Sequence, residues 1–216
     1  MSSAKSIDDK LNLAFELFES NQFIEAEEVY QECLNRIDPS SSKYQAALHW
    51  MGYVKSELKK FDEARSIYFE LREIAKSCLH LQDEIIAIHQ LGMVERMAQN
   101  YDKALEIFDE EVTLLRSSHP NWHVGFAANY YEQGYILLKK NNLFEAENLM
   151  NESLRYAEQS NDQIALGCSL RGLGEINKAK GEIEKAKSYF EQSILAFKEG
   201  EDFVGVTEVN GMLDEI

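Results

Sequence analysis

The reading of the fold turns on the run Leu91-Gly92-Met93-Val94-Glu95-Arg96-Met97-Ala98-Gln99-Asn100-Tyr101-Asp102-Lys103-Ala104-Leu105-Glu106-Ile107-Phe108. A glycine is followed 12 residues on by an alanine and, four further, by an aromatic. The same spacing recurs four more times. The first small position is Ala14, Gly52, Gly92, Gly134 and Gly174, and the second is Ala26, Ala64, Ala104, Ala146 and Ala186. The steps between segments are 38, 40, 42 and 40 residues, so the chain is a repeat from near its start to its end. Three residues before each alanine sits Phe23, Phe61, Tyr101, Leu143 or Ile183, and four after it Tyr30, Tyr68, Phe108, Met150 or Phe190. Those offsets share one helix face.

Short polar turns precede each second helix: Ser20-Asn21-Gln22, Lys59-Lys60, Gln99-Asn100, Asn141-Asn142 and Lys180-Gly181. The unit is therefore helix, tight turn, helix. A glycine inside a helix costs about 1 kcal/mol relative to alanine. Repeated in register, it implies close approach of paired helices, with the residue at +4 filling the space between one pair and the next. The spacing predicts first-of-pair helices over 7–19, 41–58, 81–98, 120–140 and 162–179. Second-of-pair helices are predicted over 22–37, 61–79, 101–117, 143–159 and 182–199. Ser118-His119-Pro120 reads as a helix start with proline at the first helical position, and Asp38-Pro39-Ser40-Ser41 as a stop and restart. A last helix over 202–215 carries Asp214 where glycine would stand, as a solvated cap requires.

Composition agrees. Of 216 residues only 11 are Gly and 2 Pro, which favours helices over a turn-rich sheet protein. Hydrophobic residues make up 44%, enough for a core. The net charge of −16 disfavours phosphate backbones and anionic membrane surfaces as partners. No run approaches the ~18 apolar residues of a membrane span, and the start of the chain has no apolar stretch of a signal peptide. Cys33, Cys78 and Cys168 are an odd, widely spaced set, read as buried reduced thiols of a cytoplasmic protein.

The pattern resembles the tetratricopeptide repeat (TPR) family, on Gly92, Tyr101, Ala104 and Phe108 and their counterparts. The period of about 40 exceeds the family's usual 34, and the proline that closes the second helix is absent from most repeats. Six more residues per unit lengthen each helix by about 4.5 Å. This long variety is similar to the repeats of peptide-sensing regulators of Gram-positive bacteria and of kinesin light chains. The resemblance implies an all-α, right-handed superhelical solenoid: five TPR-type pairs (7–38, 41–79, 81–118, 120–160, 162–199) and a capping helix at 202–215, in one domain over 1–216. It also implies that first-of-pair helices line a concave groove.

On those helices, offsets −3, +1 and +4 from the small residue form one stripe. The columns read Leu11, His49, His89, Tyr131, Arg171; then Phe15, Tyr53, Met93, Tyr135, Glu175; then Phe18, Ser56, Arg96, Leu138, Lys178. They hold a single acid, in a chain with 38. His49, Tyr53, His89, Met93, Arg96, Tyr131, Tyr135, Arg171 and Lys178 are the expected partner-binding residues, aromatic and basic anchors for a protein or peptide. The alternative is that they pack only against neighbouring turns. The Lys and Asn set with which one TPR subtype grips a peptide carboxylate is not matched. Asn129 and Asn177 lie off the stripe and read as solvated or capping.

His49 and His89 sit one repeat apart without a third ligand, so no metal and no cofactor is expected. Gly-rich phosphate loops, G-x-S-x-G and H-E-x-x-H are lacking, and the chain is not expected to be an enzyme. Glu27-Glu28 and Glu110-Glu111 read as solvated outer face. Leu11, Phe15 and Phe18 offer an apolar end through which two copies could pair.

Overall fold

The structure is a computed structural model and describes residues 6–216. Among these are eleven α-helices: α1 (Ile7–Glu19), α2 (Phe23–Leu34), α3 (Ser42–Glu57), α4 (Phe61–Ser77), α5 (Leu81–Met97), α6 (Tyr101–Ser118), α7 (His123–Lys139), α8 (Leu143–Ser160), α9 (Gln163–Lys180), α10 (Ile183–Glu199) and α11 (Phe203–Asp214). These are five pairs and a last single helix, and no described residue is in a strand. The residues cluster into two compact units, one ending at Ile107 and one beginning at Phe108.

Each pair is joined by the same turn. Seven residues after the first small position the backbone is left-handed: Asn21, Lys59, Gln99, Asn141 and Gly181 have φ of 58°, 59°, 62°, 59° and 78°. The following N–H bonds five residues back, as in Gln22 to Leu17, Lys60 to Lys55 and Asn100 to Glu95, each at 2.8 Å. This is the Schellman closure, which satisfies the last helical carbonyls and reverses the chain. Only the fifth turn uses glycine, the residue best suited to that backbone.

The glycines do what the repeat implies, with one correction. A Cβ built on Gly52 would lie 2.5 Å from the Tyr68 ring, and one on Gly174 would lie 2.5 Å from that of Phe190. On Gly134 it would meet Met150 at 3.2 Å. The side chain at +4 thus seats on the glycine of its own pair, not only between pairs. It reaches the next pair too: Tyr68 packs with Leu91 and Val94, and Met150 with Leu173 and Ile176. Full burial of such a side chain is worth about 1.5–3 kcal/mol.

In the first unit, α1–α4 enclose Ala14, Ala26, Tyr30, Met51 and Val54. Leu11 and Phe18 pack against this core, and Phe15 and Phe18 lie 4.8 and 5.4 Å from Trp50, ring to ring. Charged side chains are buried here as well. Lys55 is held by Glu27 at 2.5 Å and by Glu63, and Lys60 reaches Glu27 at 2.7 Å. Glu95, 1% exposed, takes two bonds from Arg65 at 2.9 Å, one from Asn100 at 2.8 Å and an ion pair with Lys103 at 2.5 Å. Burial pushes its carboxyl up, but the bonds from Arg65, Lys103 and Asn100 outweigh this and bring it down to about 2.

In the second unit three expectations fail. Pro120 is not the first residue of a helix; it sits in a turn, and α7 starts at His123 with Trp122 as its cap. His119 bonds Trp122 N–H through its carbonyl at 3.0 Å, closing the turn before the helix begins. Nor are Asn129 and Asn177 solvated. Asn129 is wholly buried and donates to the Phe108 carbonyl at 2.8 Å and to Glu111 at 2.9 Å, while Asn177 donates to the Leu173 carbonyl. Glu111 is therefore buried, not part of a solvated face, because Asn129 supplies the donor its carboxylate needs. Cysteine usage also differs from expectation: Cys33 is buried and Cys168 partly so, but Cys78 is exposed, and all three are free. On α11 Asp214 is exposed, as a cap requires.

Gly174→Ala drives a methyl group into the Phe190 ring. We expect it to lower stability by about 1–3 kcal/mol, read from urea denaturation. The control is Gly211→Ala, where a Cβ would meet nothing within 4 Å.

Candidate functional site

All nine residues expected to bind a partner are half-buried on first-of-pair helices: His49 and Tyr53 on α3, His89, Met93 and Arg96 on α5, Tyr131 and Tyr135 on α7, Arg171 and Lys178 on α9. In the first unit, α3 presents a ring cluster. The His49 ring lies 5.2 Å from Tyr53 and 5.9 Å from Tyr68, and Tyr53 lies 5.4 Å from Trp50 and 6.2 Å from Phe18. Gln90 on α5 donates to the Tyr53 hydroxyl at 2.9 Å, and Tyr68 donates to the His49 carbonyl at 3.2 Å. Trp50 is part of this cluster and only half-buried. Burial among these rings lowers the pKa of His49, since a charged imidazole would lose its hydration there.

In the second unit the stripe is aromatic on α7 and charged on α9. Tyr131 and Tyr135 stack at 6.2 Å, and Lys139 lies 4.7 Å above the Tyr135 ring. Arg171 donates to the Tyr131 hydroxyl at 2.7 Å and to Glu208 of α11 at 2.8 Å. Lys178 pairs with Glu215, the C-cap of α11, at 3.0 Å. Burial pushes Glu175 up, against the nearby charges of Arg171 and Lys139. A cleft of about 510 Å³ opens between Leu138, Lys139, Glu175, Lys178, Met212 and Glu215.

Reading the columns misses the polar partners. Gln90, Glu208 and Glu215 stand 37 residues beyond Tyr53, Arg171 and Lys178, on the next first-of-pair helix. The signal that finds them is an offset of three less than the repeat period. Among the described residues no three His, Cys, Asp or Glu side chains converge as metal ligands. No described helix is long and apolar enough to cross a membrane.

The profile of the MalT-like TPR region matches residues 13–205. The chain belongs to that TPR family. No curated protein sequence matches it. Among solved structures, a Rap protein complexed with competence and sporulation factor superposes with a TM-score of 0.77 at 17% identity, over 93% of this chain and 56% of that one. Aspartyl phosphate phosphatase F from Bacillus subtilis gives 0.64 at 12%, over 99% and 61%. The nearly identical TPR-like repeats of a putative kinesin light chain from Podosopora anserina give 0.62 at 15%, over 92% and 98%. At these identities the likeness is one of fold: an all-α TPR solenoid type.

The depressed pKa of His49 carries a sign. The unfolded ring, near 6.5, binds its proton more readily than the folded one. The stability owed to a neutral His49 is therefore complete above pH 6.5 and is lost as pH falls through its folded pKa. Urea midpoints measured between pH 8 and 5 should fall more steeply for the wild type than for His49→Phe, and equal slopes would exclude this cause.

Proposed function

We propose that the chain is a non-catalytic scaffold of the cytoplasm that holds a protein segment or peptide along its first-of-pair helices. One observation carries this: the stripe of His49, Tyr53, His89, Met93, Arg96, Tyr131, Tyr135, Arg171 and Lys178 keeps aromatic and basic surface half-exposed on a chain of net charge −16. Tyrosine and arginine are the side chains that anchor interfaces, because they bury much area at low entropic cost and keep a polar tip. Affinity would come from desolvating the His49–Tyr53–Trp50 rings in one unit and Tyr131–Tyr135 in the other. A second reading is favoured by the Rap protein bound to competence and sporulation factor: a sensor that takes up a short signal peptide and acts on another protein.

In a lysate of the source organism, the wild type should retain a partner that Tyr53→Ala/His89→Ala/Tyr135→Ala, of unchanged helical content, loses by 10-fold or more. Truncation of anchors costs about 2 kcal/mol or more each. Equal recovery by the two proteins sinks the assignment of these residues.

We further propose that the two compact units act as one domain of five pairs and a cap. Nearest-neighbour coupling in such arrays gives a single melting transition, and two resolved transitions in calorimetry would refute a single domain.

A further inference from the structure

We propose that the face of α9 and α10 covered by α11 is a helix-binding surface, with α11 as its resident occupant. The partner it fits is a helix of the same chemistry: an apolar stripe flanked by two carboxylates two turns apart. This deepens the scaffold reading above and rests on it.

The geometry begins with spacing. Glu208 and Glu215 are seven residues apart on α11 and its C-cap, and Arg171 and Lys178 are seven apart on α9. Seven residues are about 10.5 Å of helix. Both pairs therefore close together, at 2.8 and 3.0 Å. Alongside them Val209, wholly buried, and Val206, Met212, Leu213 and Ile216 pack against the cluster of Phe190, Ile194 and Phe197. α11 thus docks as an amphipathic ligand helix does, through one apolar face and two charged pins.

α11 is held from one side only. Where the other first-of-pair helices of this unit carry Gly134 and Gly174 under a close second helix, α11 carries the exposed Asp214, and Thr207, Asn210 and Gly211 of the same face are exposed. At 12 residues it is shorter than α9 and α10, with 18 and 17. The seating is also incomplete. The 510 Å³ cleft separates Met212 and Glu215 from Lys139 and Glu175. The Nε of Arg171, buried, has no hydrogen-bond acceptor. An incoming carboxylate placed to engage both nitrogens on one edge of that guanidinium gains what Glu208 leaves unused.

The energetics set the size of the effect. The carboxylates of both pairs are more than half exposed, at 54% and 72%, so each bond stabilises weakly. A competitor sees only the fraction of molecules in which α11 is undocked, and its apparent dissociation constant scales inversely with that fraction. Loosening α11 therefore reads out directly as tighter binding in trans.

The probe is a fluorescein-labelled peptide of residues 202–216, titrated into the full chain and followed by anisotropy. It should bind the Glu208→Gln/Glu215→Gln chain roughly 10-fold more tightly than the wild type. Adding Arg171→Gln/Lys178→Gln to that variant should abolish the gain. In hydrogen exchange, amides 203–214 should open faster in Glu208→Gln/Glu215→Gln than in the wild type, with α9 and α10 unchanged. Equal probe affinity for the wild type and Glu208→Gln/Glu215→Gln overturns the proposal. So does protection of α11 equal to that of α9 and α10 in both proteins. Neither readout involves Tyr53, His89 or Tyr135 or needs the natural partner, so failure here leaves the scaffold reading standing and is distinguishable from the failure of that reading.

Discussion

Three of the five helix pairs, α3–α4, α7–α8 and α9–α10, close on the contact between a missing Cβ and a large side chain. Tyr68 lies where a side chain on Gly52 would be, and Phe190 where one on Gly174 would be. The helices approach because glycine lets them, and the aromatic then has one place to go. Because the same side chain also touches the next pair, as Tyr68 does Leu91 and Met150 does Ile176, a repeat's internal packing orients its neighbour within each unit. The cost of glycine within a helix is offset by burial of a whole ring. The turn seven residues later is uniform for the same reason: a pair held at fixed separation admits one way back, and the backbone goes left-handed there even at Lys59 and Gln99.

Polar groups fill the places that this packing leaves. At the third position after the small residue stand Lys55, Glu95 and Asn177, each buried. Every one is satisfied locally: Lys55 by Glu27 and Glu63, Glu95 by Arg65, Lys103 and Asn100, and Asn177 by the Leu173 carbonyl. Such groups add little net stability but are costly to leave unpaired, so they select the register in which their partners meet. One helical step away, the half-buried stripe carries aromatic rings and cations instead, among them Tyr53, Tyr131 and Arg171.

The candidate site was legible in composition rather than in contacts. Period and offset picked out His49, Tyr53, Tyr131, Tyr135 and Arg171, because a helix face is a matter of counting. What each residue touches depends on the neighbouring helix, whose displacement along the repeat is not an integer copy of the period. Gln90, Glu208 and Glu215 escaped notice for this reason, since they lie 37 residues on where the repeat steps by about 40. Glu111 and Asn129 were misplaced on the surface because each is polar alone and becomes a core residue only as the other's partner.

By itself, the sequence determined the helix pairs, their limits to within a few residues, the turns and the positions of the small and large residues. All of these are local or periodic, and glycine, alanine and aromatic spacing encodes them directly. The tertiary structure alone decided which charges are buried, which polar partners meet the stripe, that Pro120 ends in a turn, and that α11 pins Arg171 and Lys178. Those depend on how far one helix slides along the next. That distance is set by the sum of many side-chain volumes, and no single spacing in the chain records it.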